Sequence, residues 1–233
     1  MTKFMTGNKN KSFLRLCIIQ AFLGLTFVIS GCDTTPTPSD PRLIDRSFIT
    51  RQPCAAPCWY GLEPDQSSET DVLAKLKELP FVDHTKIRED KNASIFDYTN
   101  ASVISFGCAI PGGNTCGTVV SVKGIVKYFD LTIQYPLPLQ SVIDQLGSPE
   151  YLFYTGYFPD GGGCRISLSW PQKRISVVSD DPNSTQLCTD LALGKAVNSG
   201  LQITEVHYES KEIALRDVCN QLKCIPWPGF SGK

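Results

Sequence analysis

Ten cysteines and two histidines among 233 residues carry most of the chemistry open to this chain. Cys17 and Cys32 belong to an apolar run near the start, and the other eight, Cys54, Cys58, Cys108, Cys116, Cys164, Cys188, Cys219 and Cys224, are spread through the rest. An even set of thiols in an exported chain forms disulfides, although eight cysteines allow 105 pairings. Sequence proximity favours 54 with 58, 108 with 116, 164 with 188, and 219 with 224. Cys108 and Cys116 flank the turn-rich AIPGGNT between two strand-like runs, which places them across a hairpin. Zinc is the competing chemistry for Cys54, Cys58, Cys219 and Cys224. The spacing lacks the paired CxxC of structural sites, and oxidised thiols cannot ligate. No CxxC redox pair is present.

His84 and His207 offer general-base chemistry for a hydrolase, with a serine and a carboxylate as partners. Neither a G-x-S-x-G elbow nor an H-E-x-x-H pair supports it, and an ordinary strand histidine is the simpler reading of both. GGNTCGT, residues 112–118, nearly spells a phosphate loop, but Thr118 stands where the lysine belongs. Asp160, before three glycines, supplies one carboxylate where calcium needs 6 to 8 oxygens. No metal or cofactor is expected.

Cys17 to Ser30 is apolar but only fourteen residues long, short of the roughly 20 needed to span a bilayer. Lys9, Lys11 and Arg15 precede it, so basic start, apolar middle and small exit make a secretory leader. Ile29-Ser30-Gly31-Cys32 resembles the lipobox of bacterial lipoproteins. That resemblance implies a diacylglyceryl group on the Cys32 sulfur, cleavage before it, and attachment by two or three acyl chains, since one chain holds only marginally. The expected location is a cell membrane, with the protein facing the outside or the periplasm. By analogy with some double-membraned bacteria, Asp33 argues for inner-membrane retention. DTTPTPSDP, residues 33–41, has nothing apolar to bury and reads as a solvated tether.

Removing the leader takes four of the 22 basic residues and none of the 23 acidic ones, leaving a net charge of −5. The remaining Lys and Arg are scattered, so nucleic acid is not an expected partner. The expected organisation is a leader at 1–31, a lipidated cysteine and tether at 32–51, and two helix-plus-antiparallel-sheet units at 52–135 and 136–233.

The elements behind this follow from hydrophobic period. Ser68 to Asp71 forms a capping box, Val72, Leu73, Leu76 and Leu79 share a helical face, and Pro80 stops the helix. Pro138 opens a second helix with Val142, Ile143 and Leu146 in its stripe and Gly147 and Pro149 at its exit. Both carry V-[LI]-x-x-L, seventy residues apart, as an internal repeat would. Strand-like runs follow each: 82–87, 94–98, 102–106, 118–122 and 125–135, then 151–158, 165–170, 174–179 and 201–209. Ser210 caps a last helix through Leu222. Short turns demand antiparallel neighbours. Ile125, Phe129, Leu131 and Ile133 fall on one face of the longest run, opposite Tyr128 and Asp130. The expected fold class is α+β, helices packed on one face of twisted antiparallel sheet, in two tandem units.

Val142-x-x-x-Leu146-Gly147-x-Pro149 before an aromatic strand resembles the helix-to-sheet corner of outer-membrane assembly lipoproteins of the SmpA/OmlA type. The tandem arrangement resembles β-lactamase-inhibitor proteins. The likeness covers Leu137 to Ser179, and the first repeat departs from it where Leu79 runs straight into Pro80. It implies a sheet surface and loops that bind other proteins without catalysis. EYLFYTGYF, residues 150–158, alternates aromatics on both sides, so Tyr151, Phe153, Tyr154 and Tyr157, with Tyr128, are the candidate contact residues. A sugar or lipid pocket lined by Trp59, Trp170 and Trp227 is a further alternative, although the same residues serve as core anchors. The functional expectation is a non-enzymatic envelope lipoprotein that binds a protein or an extracellular polymer.

Overall fold

The computed structural model describes residues 40–95, 98–110, 115–156, 163–181, 185–214 and 224–230. Ser68 opens a helix there as its sequence dictates. Its Oγ accepts from Asp71 N at 3.1 Å, and the Asp71 carboxylate accepts from Ser68 N at 2.9 Å, so two otherwise orphan donors are satisfied reciprocally. This helix spans Glu69–Leu76. Its counterpart, Leu139–Leu146, ends where Gly147 takes φ +79° and donates its N–H to Ile143 O. In chain order the helices are α1 Ser47–Thr50, α2 Glu69–Leu76, α3 Leu139–Leu146, α4 Thr185–Ala192 and α5 Lys211–Ala214. None of them exceeds eight residues, and no helix among the described residues is long and apolar enough to cross a membrane.

The strands are β1 Val82–Ile95, β2 Tyr98–Cys108, β3 Thr115–Val122, β4 Ile125–Thr132, β5 Tyr151–Gly156, β6 Cys164–Trp170, β7 Ile175–Asp181, β8 Glu205–Glu209 and β9 Cys224–Pro226. They form one nine-stranded sheet in the order β1-β2-β3-β4-β8-β7-β6-β5-β9, and every neighbouring pair is antiparallel. The expected α+β fold of two helix-plus-sheet units is therefore corrected. Strands from both halves join through β4 and β8, from Tyr128 opposite Glu209 to Thr132 opposite Glu205. Sheet dominates and the helices are small. Each half leaves one strand edge with unpaired backbone groups, and pairing the two edges satisfies both at once.

The shared V-[LI]-x-x-L pattern has a counterpart in the backbone. Val126 N donates to Ser67 O and Glu69 N to Gly124 O beside α2; Ile203 N donates to Leu137 O and Leu139 N to Leu201 O beside α3, all between 2.7 and 3.0 Å. Each helix start is thus stitched to the segment entering one of the two central strands, β4 and β8.

Smaller departures have local causes. The runs at 82–87 and 94–98 are parts of one long ribbon, β1 continuing to Ile95 through register shifts. A bulge between Val120 and Ser121 shifts the pairing with β4, so Val126 is buried and Ile125 is exposed, the reverse of the expected alternation. The folded body starts before Gln52: Ser47 and Phe48 are buried, and Phe48 joins the core. Of the helix expected from Ser210 to Leu222, the described part ends at Ala214.

One sheet face carries the main core. Trp59, fully buried, stacks on Phe106 at 5.8 Å between centroids and meets Phe129 and Phe81, while its Nε1 donates to Asp45 Oδ2 at 2.7 Å. Leu152, Ile166, Leu168, Ile175, Val177 and Val206 extend this layer across the second half. Among the described residues the two core clusters lie between Phe48 and Tyr208, within the compact unit Asp40–Lys233. On the opposite face Ala101, Val120 and Tyr128 make a small second cluster, with Ile213 of α5 against it.

Candidate functional site

The second face also gathers the charged groups of the two central strands. Period two puts Glu205, His207 and Glu209 on the same side of β8. Pairing sets Asp130 of β4 opposite His207 on one flank and Ser176 of β7 opposite it on the other. Arg165 of β6 faces Asp180 of β7 one strand further out.

These side chains form one network. His207 Nε2 is 3.2 Å from Glu205 Oε2 and 3.6 Å from Asp130 Oδ1. Its Nδ1 lies 3.3 Å from Ser176 Oγ, and that hydroxyl donates to Glu209 Oε1 at 2.6 Å. Arg165 bridges Asp180 Oδ2 at 2.5 Å and Glu205 Oε2 at 2.6 Å. Burial by itself would lower the His207 pKa, but hydrogen bonds and attraction from Asp130 and Glu205 outweigh it and push the group up to about 9. Burial likewise opposes the charge on Glu205, yet His207 and Arg165 hold it down at about 2. Glu209 is raised, because burial outweighs its hydrogen bond from Ser176 and the attraction of His207.

Ser176, His207 and a carboxylate are the parts of a hydrolytic triad, assembled here in a state unsuited to that use. A general base must be neutral to take the serine proton. An imidazolium with both N–H groups donating, one toward Glu205 and one toward Ser176, has no lone pair to offer. Ser176 is also only 4% exposed. Asp130, Glu205 and His207 bring one ligand atom each within 4.8 Å of one another, the spacing a divalent cation would use. Arg165 already holds the Glu205 oxygen on that side, and its guanidinium opposes a second positive centre there. The residues as placed form a compensated ion network between the halves of the sheet.

The other predicted residues fall in separate places. Cys54–Cys58, Cys108–Cys116 and Cys164–Cys188 are disulfides, the second across the β2–β3 hairpin as its flanking turn implied. Cys224 is disulfide-bonded. Cys32, Cys219 and Tyr157 lie outside the described residues. Tyr151 is 44% exposed on the face opposite the main core, Phe153 beside it is half-buried, and Tyr154 points the other way and packs on the core. Tyr128 is buried against the His207 ring at 5.1 Å, which removes it from any contact surface. His84 is exposed on β1 and stands apart from the network. Trp59 and Trp170 are core anchors with their indole N–H groups bonded to Asp45 and to Gly147 O. Trp227 packs edge-on against Phe230 at the margin of the same core.

The sequence offers His207 either as an ordinary strand histidine or as a base with an unnamed serine and carboxylate, and does not single out Arg165, Ser176, Asp180, Glu205 or Glu209. The available signal was Glu205-x-His207-x-Glu209, three ionisable groups on one face of an otherwise apolar strand. Comparison with protein-family models, curated proteins and solved structures finds no match for this chain.

Proposed function

We propose that this chain is an exported, lipid-anchored, disulfide-stabilised envelope protein that binds an envelope protein or an extracellular polymer and catalyses no reaction on it. The observation that carries the reading is the set of three cystines joining near neighbours in sequence, which accords with an oxidising compartment and with the lipobox-like ISGC before them. The binding role rests on Tyr151 and Phe153, adjacent on the sheet face that the main core leaves uncovered. Hydrolysis has less support, since the histidine nearest a serine is held protonated.

Metabolic labelling with a clickable palmitate analogue tests the anchor: label on the wild-type chain and none on Cys32→Ala supports it, and an unlabelled wild type with its leader attached sinks it. A photo-crosslinking amino acid at Tyr151, used in the intact host and followed by mass spectrometry, tests the contact face. A discrete adduct absent from a probe at Leu193 supports that assignment, and equal adducts at both positions overturn it.

A further inference from the structure

Asparagine followed two positions later by serine or threonine is the acceptor pattern for N-linked oligosaccharide in exported proteins, provided that both side chains can be reached. One such triplet, Asn-Ala-Ser, occurs twice: Asn92-Ala93-Ser94 on β1 and Asn100-Ala101-Ser102 on β2. Of the other matches, Asn10-Lys11-Ser12 falls in the leader, and Asn183-Ser184-Thr185 has its asparagine outside the described residues. As triplets the first two are equal. Their surroundings are not.

Asn92 and Ser94 are exposed and alternate with half-buried Ala93 and Ile95, so the amide and the hydroxyl face solvent from the same side of the strand. Among the described residues β1 pairs only with β2, which leaves its outer edge open to an enzyme. Asp90 stands opposite Val103 and Ala93 opposite Ala101, so Lys91 and Asn92 have only Ser102 between those partners. That bulge takes the asparagine out of the regular ladder. Asn92 N donates to Asp90 Oδ1 at 3.1 Å, which fixes the local turn. The second triplet lies inside the sheet. Ala101 is fully buried, Ser102 Oγ is buried, and β2 runs between β1 and β3 with Ser102 opposite Ser121. A transferase that must hold amide and hydroxyl together cannot reach that pair in the folded chain.

We propose that Asn92 is the acceptor of an N-linked oligosaccharide, transferred from a polyprenyl-pyrophosphate-linked donor after export, while Asn100 is not. The cellular setting rests on the export reading above. In the transfer Asn92 Nδ2 attacks the anomeric carbon of the first sugar, and the bond from that carbon to the pyrophosphate oxygen breaks. Polyprenyl pyrophosphate leaves with the electron pair, and Nδ2 gives one proton to a carboxylate of the transferase. Ser94 supplies the hydroxyl by which the transferase selects its asparagine. A bulky hydrophilic glycan at this position also shields the open edge of β1 from pairing with another chain.

The test incubates the purified, oxidised full chain with a bacterial oligosaccharyl transferase and a polyprenyl-pyrophosphate oligosaccharide. Acceptor chemistry is then measured apart from export, on which palmitate labelling reports. Intact mass should rise by that of the oligosaccharide in wild type, in Asn100→Gln and in Ser94→Thr. The modified fraction should fall at least about tenfold in Asn92→Gln and in Ser94→Ala, which lack the amide and the hydroxyl. Chain recovered from the native host without its leader should carry sugar on Asn92. No transfer to the wild type, equal transfer to Asn92→Gln, or a leader-free native chain with Asn92 bare overturns the proposal.

Discussion

Asp130 and His207 face each other across the junction of β4 and β8, with the Asp130 Oδ1 3.6 Å from His207 Nε2. Each comes from a different half of the chain. Among the described residues, the one strand pairing that joins the halves is thus also an electrostatic contact, and its strength depends on one proton.

That proton predicts a pH profile. His207 is raised from 6.5 to about 9, so the folded state holds its proton more tightly than the unfolded chain does. Its stabilisation is full below about pH 6.5 and is lost as pH rises through 9, on the order of 3 kcal/mol at 1.36 kcal/mol per unit. Glu205, lowered from 4.5 to about 2, contributes fully above about 4.5 and loses its contribution as pH falls toward 2. Melting temperatures between pH 3 and 10 should therefore peak near pH 4.5 to 6.5, and His207→Gln should flatten the alkaline limb. An alkaline limb identical in wild type and variant would refute this assignment.

Arg165 should couple to both of its carboxylates. Arg165→Met leaves Asp180 and Glu205 partly buried without their counter-charge and is expected to cost about 1 to 3 kcal/mol. A double-mutant cycle with Glu205→Gln should return a coupling above ~0.5 kcal/mol. Denaturant midpoints for the four proteins measure it, and additive losses would show the contact to be inert.

The disulfides should rank by loop length. Cys164 and Cys188 are 24 positions apart and Cys108 and Cys116 are 8 apart, so chain entropy assigns about 3.5 and about 2.6 kcal/mol respectively. Paired Cys→Ser variants should lower stability in that order when compared by denaturant unfolding, and a reversed order would show that packing decides.

Two glycines should not tolerate a methyl group. A Cβ on Gly117 would lie 2.6 Å from Asp130 O and 2.7 Å from Phe106 Cζ, and one on Gly107 would lie 2.5 Å from Lys86 Cδ and 2.7 Å from Lys86 Cβ. Gly117→Ala and Gly107→Ala should each destabilise by about 1 to 3 kcal/mol. The glycine that made GGNTCGT resemble a phosphate loop is needed for close packing of β3 on β4. Thermal unfolding of both variants checks this, and a variant as stable as the wild type would contradict the contact at that glycine.

Features read from neighbours in sequence survived in the structure. The capping box at Ser68, the Gly147 exit, the Cys108–Cys116 hairpin and most strands depend on residues within a few positions of one another, where residue type acts directly on backbone geometry. The merging of both halves into one sheet, the bulge that turned Val126 inward and the burial of Tyr128 were not legible. Each depends on which distant strand lies alongside, and period-two alternation carries no label for its partner.

Taken alone, the sequence determined the leader-like start with its ISGC cysteine as an expectation, three local cystine pairs, the antiparallel character and the cap at Ser68 and exit at Gly147, because short-range sterics and covalent reach decide these. Only the tertiary structure brought Arg165, Ser176 and Asp130 around His207. Protonation and hydrogen bonding there depend on burial and on partners such as Ser176, 31 positions from His207, and Arg165, 40 from Glu205, and those arise only when the chain has folded.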